Sequence, residues 1–292
     1  MNGVINVFKN KGMTSFDVVR IIKKIANTGK VGHTGTLDPE ATGVLPICIG
    51  RATKIIDYIM NSEKVYVVEF KLGIKTTTYD LEGDITSEAD PSHLSYEEIL
   101  NAINEFKGDY LQVPPMYSAL KQNGVRLYTL ARQGIEVERE GRPISIYNIE
   151  DIEIKNPNVK MTVTCSKGTY IRSLCYDIGE LLNVGGTMTD LRRSKTSVFE
   201  ESKSVNIEDL TPENIENYII SIEKALEMYS RITVNNSYTK LLINGVKLAD
   251  NRFTQDIVII DKLYRVYDEN GVFIGLGKKD DKGFKIQKLL NN

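Results

Sequence analysis

Residues 32–43 read Gly-His-Thr-Gly-Thr-Leu-Asp-Pro-Glu-Ala-Thr-Gly, a segment that combines three glycines with one of the chain's two histidines. Glycines let a backbone approach a ligand closely, and Pro39 disfavours helical geometry at Asp38. The same residues also fit a short helical turn, with Asp38 as N-cap, Pro39 at the first helical position and Gly43 past the end. The segment alone therefore predicts either an exposed functional carboxylate or an ordinary turn, and the rest of the chain must decide.

The composition is that of an ordinary globular protein. The 292 residues are 41% hydrophobic and 26% charged, with a formal net charge of −2, which does not indicate a nucleic-acid binder by bulk charge. However, residues 231–292 hold eleven Lys and Arg against seven Asp and Glu, a balance of +4, so the remainder carries −6. A modestly basic C-terminal part is compatible with RNA contact without establishing it.

The sequence carries no signal for a membrane, a disulfide framework or a metal site. No apolar run approaches the length of a membrane span and no charged-then-apolar leader begins the chain, so a cytoplasmic protein is expected. Its three cysteines, Cys48, Cys165 and Cys175, lack Cys-x-x-Cys spacing. They are expected to be small buried hydrophobic residues.

Hydrophobic periodicity predicts mixed strands and helices up to about residue 200. Capping boxes mark helix starts at Thr14 and Ser95. The clearest strand is 64–72, whose alternation turns Tyr66 towards the interior or a cleft. Residues 73–94 are expected to be turns and 113–121 a rigid extended connector. The other expected elements are strands at 4–8, 44–49, 144–154 and 159–165, and helices at 51–60, 127–132 and from 171.

The helix that begins at 171 contains a residue that its pattern does not explain. Arg172 lies off the apolar stripe and in the first turn, where a cation opposes the helix dipole. A local rule broken without a structural reason is typical of a functional position, and a solvated arginine is the simpler alternative.

The pattern changes in the C-terminal part. Thr211-Pro212-Glu213 predicts the start of a helix that runs to about Tyr229. Strands are expected at 257–260, 263–267 and 272–276, followed by a polar stretch at 277–283. We therefore expect a domain boundary near residue 230.

Six stretches form an ordered set of motifs: residues 32–43, Tyr66, Pro-Pro-Met-Tyr-Ser-Ala-Leu-Lys at 114–121, Ala-Arg-Gln-Gly at 131–134, Ser-Lys-Gly-Thr-Tyr-Ile-Arg at 166–172 and Leu-Arg-Arg at 191–193. In order and spacing they resemble the TruB family of tRNA pseudouridine synthases, from about residue 4 to 200. The implied fold is α+β, a pseudouridine-synthase-type mixed, largely antiparallel sheet flanked by helices. The last residues are similar, less specifically, to the family's small PUA-type β-barrel, so the implied domains are 1–229 and 230–292.

The resemblance implies an enzyme that detaches uracil from C1′ of a uridine, rotates it and rejoins it through C5. No metal, nucleotide or redox cofactor is implied, and the nucleotide must be flipped out of its loop. The expected partner is the T stem-loop of tRNA, and the expected target is the uridine at the position conventionally numbered 55. The enzyme is expected to be a monomer that needs no guide RNA and does not bind a membrane. The alternatives are a guide-RNA-dependent relative inside a ribonucleoprotein and an inactive RNA-binding protein of the same fold.

The resemblance also implies roles for individual residues. Asp38 would be the catalytic carboxylate, acting at the ribose or at the base, and Arg172 would hold it ionised. Tyr66 would stack on the flipped base and is a candidate for moving a proton. Further implied contacts are the pocket walls Tyr170 and Leu191, the RNA-loop wedge His33, and the phosphate ligands Lys9, Lys121, Arg132, Arg192 and Arg193.

Two positions depart from the family's pattern. Lys9 is followed by Asn10, where relatives usually have proline, which could soften the positioning of RNA. In the motif Thr76-Thr77-Thr78-Tyr79-Asp80, Thr77 stands where relatives often have aspartate. Neither position is part of the chemistry that the resemblance implies.

Overall fold

A computed structural model describes residues 1–122, 124–250 and 252–290. The strands are β1 (Gly3–Lys9), β2 (Val31–His33), β3 (Thr42–Ile49), β4 (Lys64–Leu72), β5 (Ile74–Thr76), β6 (Ile85–Glu88), β7 (Gly108–Gln112), β8 (Lys121–Gln122), β9 (Val125–Arg126), β10 (Arg142–Lys155), β11 (Asn158–Cys165), β12 (Gly186–Thr196), β13 (Phe199–Glu200), β14 (Val205–Asn206), β15 (Ser230–Val234), β16 (Leu263–Asp268), β17 (Phe273–Asp280) and β18 (Gly283–Leu289). The α-helices are α1 (Ser15–Ile25), α2 (Ile56–Met60), α3 (Tyr96–Asn104), α4 (Leu127–Ala131), α5 (Ile171–Leu181) and α6 (Asn236–Ile243).

A large mixed sheet organises the chain up to residue 206. Among the described residues it has ten strands, eight of them in the order β14-β1-β3-β12-β4-β11-β10-β7, with β2 paired to β3 and β13 to β12. Along that path only the pairs β14–β1 and β3–β12 are parallel. The predicted α+β fold with a largely antiparallel sheet is confirmed.

Strand β12 lies at the centre of this sheet, although its sequence did not predict a strand. Leu191 and Arg193 are buried on one face, and Arg192 between them is half-buried on the other. The strand is parallel to β3, where Arg193 is paired with Gly43. This pairing joins the Leu-Arg-Arg motif to the end of the glycine-rich segment.

The predicted helix starts at Thr14 and Ser95 are confirmed, since both residues form complete capping boxes. Helix α5 packs against β12 and therefore against the middle of the sheet. All three cysteines are free and buried, as predicted. In the part of the chain that the structure describes, no helix has the length and apolar character needed to cross a membrane.

The helix expected at 211–229 is wrong. The segment contains only two short 3₁₀ turns, Ile215–Tyr218 and Lys224–Leu226. Between them Ile220 exchanges two backbone hydrogen bonds with Val4, of 2.9 and 2.8 Å, at the edge of the large sheet. A residue that bonds a neighbouring strand in this way is extended, so a continuous helix cannot form.

Three other expectations fail because strand pairing, or its absence, differs from what the local pattern indicates. The apolar run at 257–260 forms only an isolated bridge from Ile260, and Ile257 is 88% exposed. The polar stretch expected after the last strand instead belongs to β17 and β18, which pair with each other. The region expected to be turns contains the hairpin β5–β6. Cross-strand partners decide these cases, and they are not visible in a single segment.

The C-terminal residues form a separate four-stranded sheet in the order β15-β16-β17-β18. Its first pair is parallel and the others are antiparallel. Leu276 and Leu290 share a buried apolar cluster with Val4 and Val44 of the large sheet, so the two sheets are packed together. The division into 1–229 and 230–292 remains a prediction.

The close approach of α5 to β12 requires glycine at 179. A Cβ there would lie 2.6 Å from the Gly185 carbonyl oxygen and still closer to other backbone atoms of 185 and 186. We expect Gly179→Ala to lower the free energy of unfolding by about 1–3 kcal/mol, because overpacking forces the helix away from the sheet. Urea denaturation measures this change.

Gly29→Ala is the matched control, since nothing lies within 4 Å of a Cβ at that position. It should change the free energy of unfolding by less than about 0.5 kcal/mol. Equal stability of the Gly179→Ala and wild-type proteins would contradict the close packing.

Candidate active site

Asp38 lies in the connection between β2 and β3, on a backbone that is fixed on both sides. The Ser15 hydroxyl donates to the Leu37 carbonyl (3.1 Å) and accepts from the Leu37 N–H (2.8 Å). On the other side the Lys9 ammonium donates to the Pro39 carbonyl (2.9 Å). A single turn follows, closed by the Ala41 N–H on the Asp38 carbonyl. The turn that was the alternative is therefore present, but it is not helical beyond this one bond, since β3 begins at Thr42.

Lys9 is part of this support and does not face solvent. Its side chain is fully buried, and its ammonium donates to the carbonyls of Asn10, Met13 and Pro39. Burial lowers its pKa to about 8, against the raising effect of Asp38. The prediction of Lys9 as a phosphate ligand is wrong, because an ammonium enclosed in this way cannot reach RNA.

Arg172 is the group that faces the Asp38 side chain. Its Nε lies 3.0 Å from Oδ2 of Asp38, and its Nη1 lies 3.6 Å from Oδ2 of Asp80. The remaining guanidinium donors reach the carbonyls of Thr78 (3.2 Å) and Tyr117 (2.9 Å). The Arg172 side chain is only 7% exposed, whereas that of Asp38 is 36% exposed. The solvated-arginine alternative is therefore wrong.

Asp80 is a member of the site that the sequence did not assign. Its carboxylate accepts from the Thr78 hydroxyl and the Glu82 N–H, and its side chain is 12% exposed. The only feature of the sequence that could have identified Asp80 was its place at the end of the Thr76–Asp80 motif, and that place alone does not indicate a function. Its position beside Arg172 comes from the fold of that turn.

Asp38 opens onto a cleft of about 260 Å³, of which Leu191 forms part of the wall. Glu82 is at its rim, where burial raises the pKa of its carboxyl, as do the neighbouring carboxylates Asp80, Glu40 and Asp38. The cleft is therefore predominantly negative. Its charged lining residues are Asp38, Glu40, Asp80, Glu82, Asp190 and Lys11.

Tyr66 is buried in β4, where it is paired across the sheet with Arg193. Burial raises the pKa of its phenol, and the Arg193 guanidinium acts in the opposite direction. Asp38 also raises this pKa, which places the catalytic candidate and the aromatic candidate within electrostatic reach of each other. Tyr66 is not among the residues that line this cleft.

Tyr170 directly precedes α5, and its backbone is fixed by the side chain of Gln112. The Tyr170 N–H donates to Oε1 of Gln112 (2.8 Å), and Nε2 of Gln112 donates to the Tyr170 carbonyl (3.0 Å). Burial raises the pKa of the Tyr170 phenol, and Asp38 adds a smaller effect in the same direction. This two-point contact sets the direction in which α5, and with it Arg172, begins.

His33 ends β2 and is half-buried. Burial and then Arg193 lower its pKa, so the imidazole is neutral at neutral pH. The Gly35 N–H donates to Nδ1 at 3.3 Å, which leaves the proton of the neutral ring on Nε2. A neutral ring is suited to stacking rather than to binding a phosphate.

The remaining predicted phosphate ligands divide into two groups. Arg193 is only 1% exposed and donates to the carbonyls of Val44 (2.8 Å) and Gly35 (3.2 Å), so its prediction is wrong. Arg192 is partly exposed and pairs with Glu201 at 2.8 Å. Lys121 is exposed on β8, and Arg132 lies over the Tyr128 ring. The roles of these last three stay predictions.

Two family descriptions match adjoining parts of the chain. Residues 23–171 match the TruB family pseudouridylate synthase N-terminal domain. Residues 172–227 match the tRNA pseudouridylate synthase B C-terminal domain. The junction of the two falls between Ile171 and Arg172.

Relatives named tRNA pseudouridine synthase B match almost the whole chain. One from Clostridium perfringens (strain ATCC 13124) is 65% identical over 291 residues, 99% of each chain, and one from Clostridium tetani is 58% identical over 99% of this chain and 100% of the relative. The crystal structure of a Cbf5-Nop10-Gar1 complex is 29% identical over 98% of this chain and 84% of that chain, with a TM-score of 0.76. A substrate-bound H/ACA RNP structure is 26% identical over 99% and 85%, with a TM-score of 0.75. This chain therefore belongs to the TruB family of pseudouridylate synthases.

Proposed function

We propose that this protein converts the uridine at conventional position 55 in the T loop of tRNA to pseudouridine, with Asp38 as the catalytic carboxylate. It acts on free tRNA as a single chain, without guide RNA. The observation that carries the proposal is the 3.0 Å ion pair between Asp38 and the buried Arg172 at the wall of an open cleft. The high identity to relatives named tRNA pseudouridine synthase B supports the choice of tRNA as substrate.

The reaction exchanges one bond at C1′ for another. The N1–C1′ bond breaks, the C5–C1′ bond forms, and the proton lost from C5 is balanced by one gained at N1. Whether Asp38 acts at C1′ or at the base, its reacting oxygen must be ionised. Arg172 pairs with Oδ2 through a charge-assisted contact and so directs the carboxylate. The ion pair with Arg172 is made by Oδ2, so we assign the other oxygen, Oδ1, to the substrate.

The charge of the cleft fits a base better than a backbone phosphate. Five carboxylates and one lysine line it, so an anionic group entering the cleft would be repelled. A neutral uracil carries no such penalty. This supports a mode in which the target base is flipped into the cleft while its flanking phosphates stay outside.

Tyr66 is assigned the face of the flipped uracil, and because its ring does not line the cleft of the free protein, the base must extend past Asp38 to reach it. Because burial raises its pKa, the phenol is protonated at neutral pH in the free protein. The Arg193 guanidinium lowers that pKa and would stabilise a phenolate if Tyr66 takes the proton from C5. His33, Tyr170 and Leu191 complete the proposed base and loop contacts.

The alternatives differ in what they require. A guide-RNA-dependent enzyme inside a ribonucleoprotein would not modify a bare transcript; one structural neighbour is named as an H/ACA RNP bound to a substrate RNA. An inactive RNA-binding protein would have no need of a buried arginine aimed at an exposed carboxylate. The retained ion pair of Asp38 and Arg172 therefore favours a working enzyme.

Asp38→Asn should fold and bind unmodified tRNA transcript with nearly wild-type affinity but form no pseudouridine, because the amide is not an ionised nucleophile. The measurement is position-resolved mapping of pseudouridine together with a tRNA-binding titration. Asp281→Asn, at an exposed carboxylate of the C-terminal sheet region, is the matched control and should retain activity. Substantial turnover by Asp38→Asn would refute the assignment.

Salt dependence separates the two kinds of lysine. Lys121→Met should reduce the slope of log K for tRNA against log salt by about one, as expected for one lost phosphate contact. Lys9→Met should leave the slope unchanged and lower the free energy of unfolding by about 1–3 kcal/mol, because three carbonyls lose their donor. A reduced slope for Lys9→Met would show that Lys9 reaches RNA after all.

A further inference from the structure

The turn that presents Asp80 contains a residue in a conformation that side chains rarely adopt. Tyr79 has φ of +65°, in the left-handed region. Strained residues of this kind persist only where the surroundings hold them, and they cluster at functional sites. Here the strained residue directly precedes the carboxylate that contacts Arg172.

Contacts from two other elements hold Tyr79 in this state. Its ring is stacked on that of Tyr176 in α5, with 4.1 Å between ring centroids and 21° between the planes. Its carbonyl accepts from the N–H of Met188 in β12 at 3.0 Å. Inside the turn, the Thr76 hydroxyl donates to the Asp80 carbonyl at 2.7 Å. Among the described residues, Tyr176 is the one aromatic ring that stacks on Tyr79.

One face of α5 contacts three consecutive residues of the turn. Arg172 and Tyr176 are four residues apart and therefore adjacent on the helix surface. Arg172 contacts the Thr78 carbonyl and the Asp80 carboxylate. Tyr176 stacks on the ring of Tyr79, the residue between those two in the chain. The position of the turn and the aim of the guanidinium are thus set by the same helix face.

We propose that Tyr176 is a positioning residue for the isomerisation: its stack on Tyr79 holds the strained turn so that Asp80 and the Thr78 carbonyl fix Arg172 against Asp38. The proposal rests on the function proposed above. Without the stack, Tyr79 can relax to negative φ, which moves the backbone on either side of it. Arg172 then keeps its charge but loses the partners that direct it.

The test compares Tyr176→Ala and Tyr176→Phe in single-turnover conversion of tRNA transcript with enzyme in excess, together with tRNA affinity. Tyr176→Ala should convert tRNA about three- to tenfold more slowly, the scale of one aromatic stack, with unchanged affinity. Tyr176→Phe keeps the ring and should match the wild type. Tyr147→Ala, at an exposed tyrosine of β10, is the matched control for loss of a tyrosine.

Two further readouts separate positioning from general stability. In an Asp80→Asn background, Tyr176→Ala should cause little additional loss of rate, because both changes act through Arg172. Amide exchange at Met188 and Glu82, whose N–H groups donate to the Tyr79 carbonyl and to Asp80, should speed up in Tyr176→Ala and not in Tyr176→Phe. Exchange does not depend on activity.

A Tyr176→Ala rate within twofold of the wild type, a loss equally large in Tyr176→Phe, or fully multiplicative losses with Asp80→Asn would each overturn the proposal. A wild-type chain without turnover on tRNA would instead overturn the proposed function. Amide exchange would then still decide whether the stack holds the turn.

Discussion

The structure depends on the partners that pair with one buried cation, the guanidinium of Arg172. The Arg172 guanidinium is removed from water, and leaving such a group unpaired would cost several kcal/mol. Two carboxylates and two backbone carbonyls meet it instead, from the connection after β2, the turn after β5, and the proline-rich segment before β8. These segments are far apart in sequence, so the charge can be buried only when the whole fold has assembled around it.

The same requirement explains why a central strand and a helix must pack so closely. Helix α5 lies against β12 through Gly179, where no side chain separates the backbones. β12 in turn is parallel to β3 at Gly43, at the end of the glycine-rich segment. A shift of α5 would therefore move Arg172 relative to Asp38, even though neither residue would lose its own local structure.

The features that the sequence predicted correctly are those that depend on residues close together in the chain. The alternation in 64–72 and the capping boxes at Thr14 and Ser95 depend on neighbours a few residues away, and the structure has them at the expected places. β12 was not predicted, because Leu-Arg-Arg-Ser at 191–194 is a basic stretch with a single apolar residue, and nothing in it alone indicates a strand. Residues 211–229 failed in the opposite way, since pairing of Ile220 with Val4 overrides a good helix start. Long-range pairing is the information that a single segment lacks.

The burial of basic residues also depends on long-range contacts, and it affects the electrostatics around Asp38. A lysine or arginine in the sequence predicts a phosphate contact equally well whether it is exposed or buried, yet Lys9 and Arg193 are enclosed. Both are held by neutral backbone carbonyls rather than by carboxylates. Carbonyls satisfy the donors without cancelling the charge, so a net positive potential remains behind Asp38. That potential meets Asp38 from inside the protein, at the wall of a cleft whose other charged residues are four carboxylates and one lysine, Lys11.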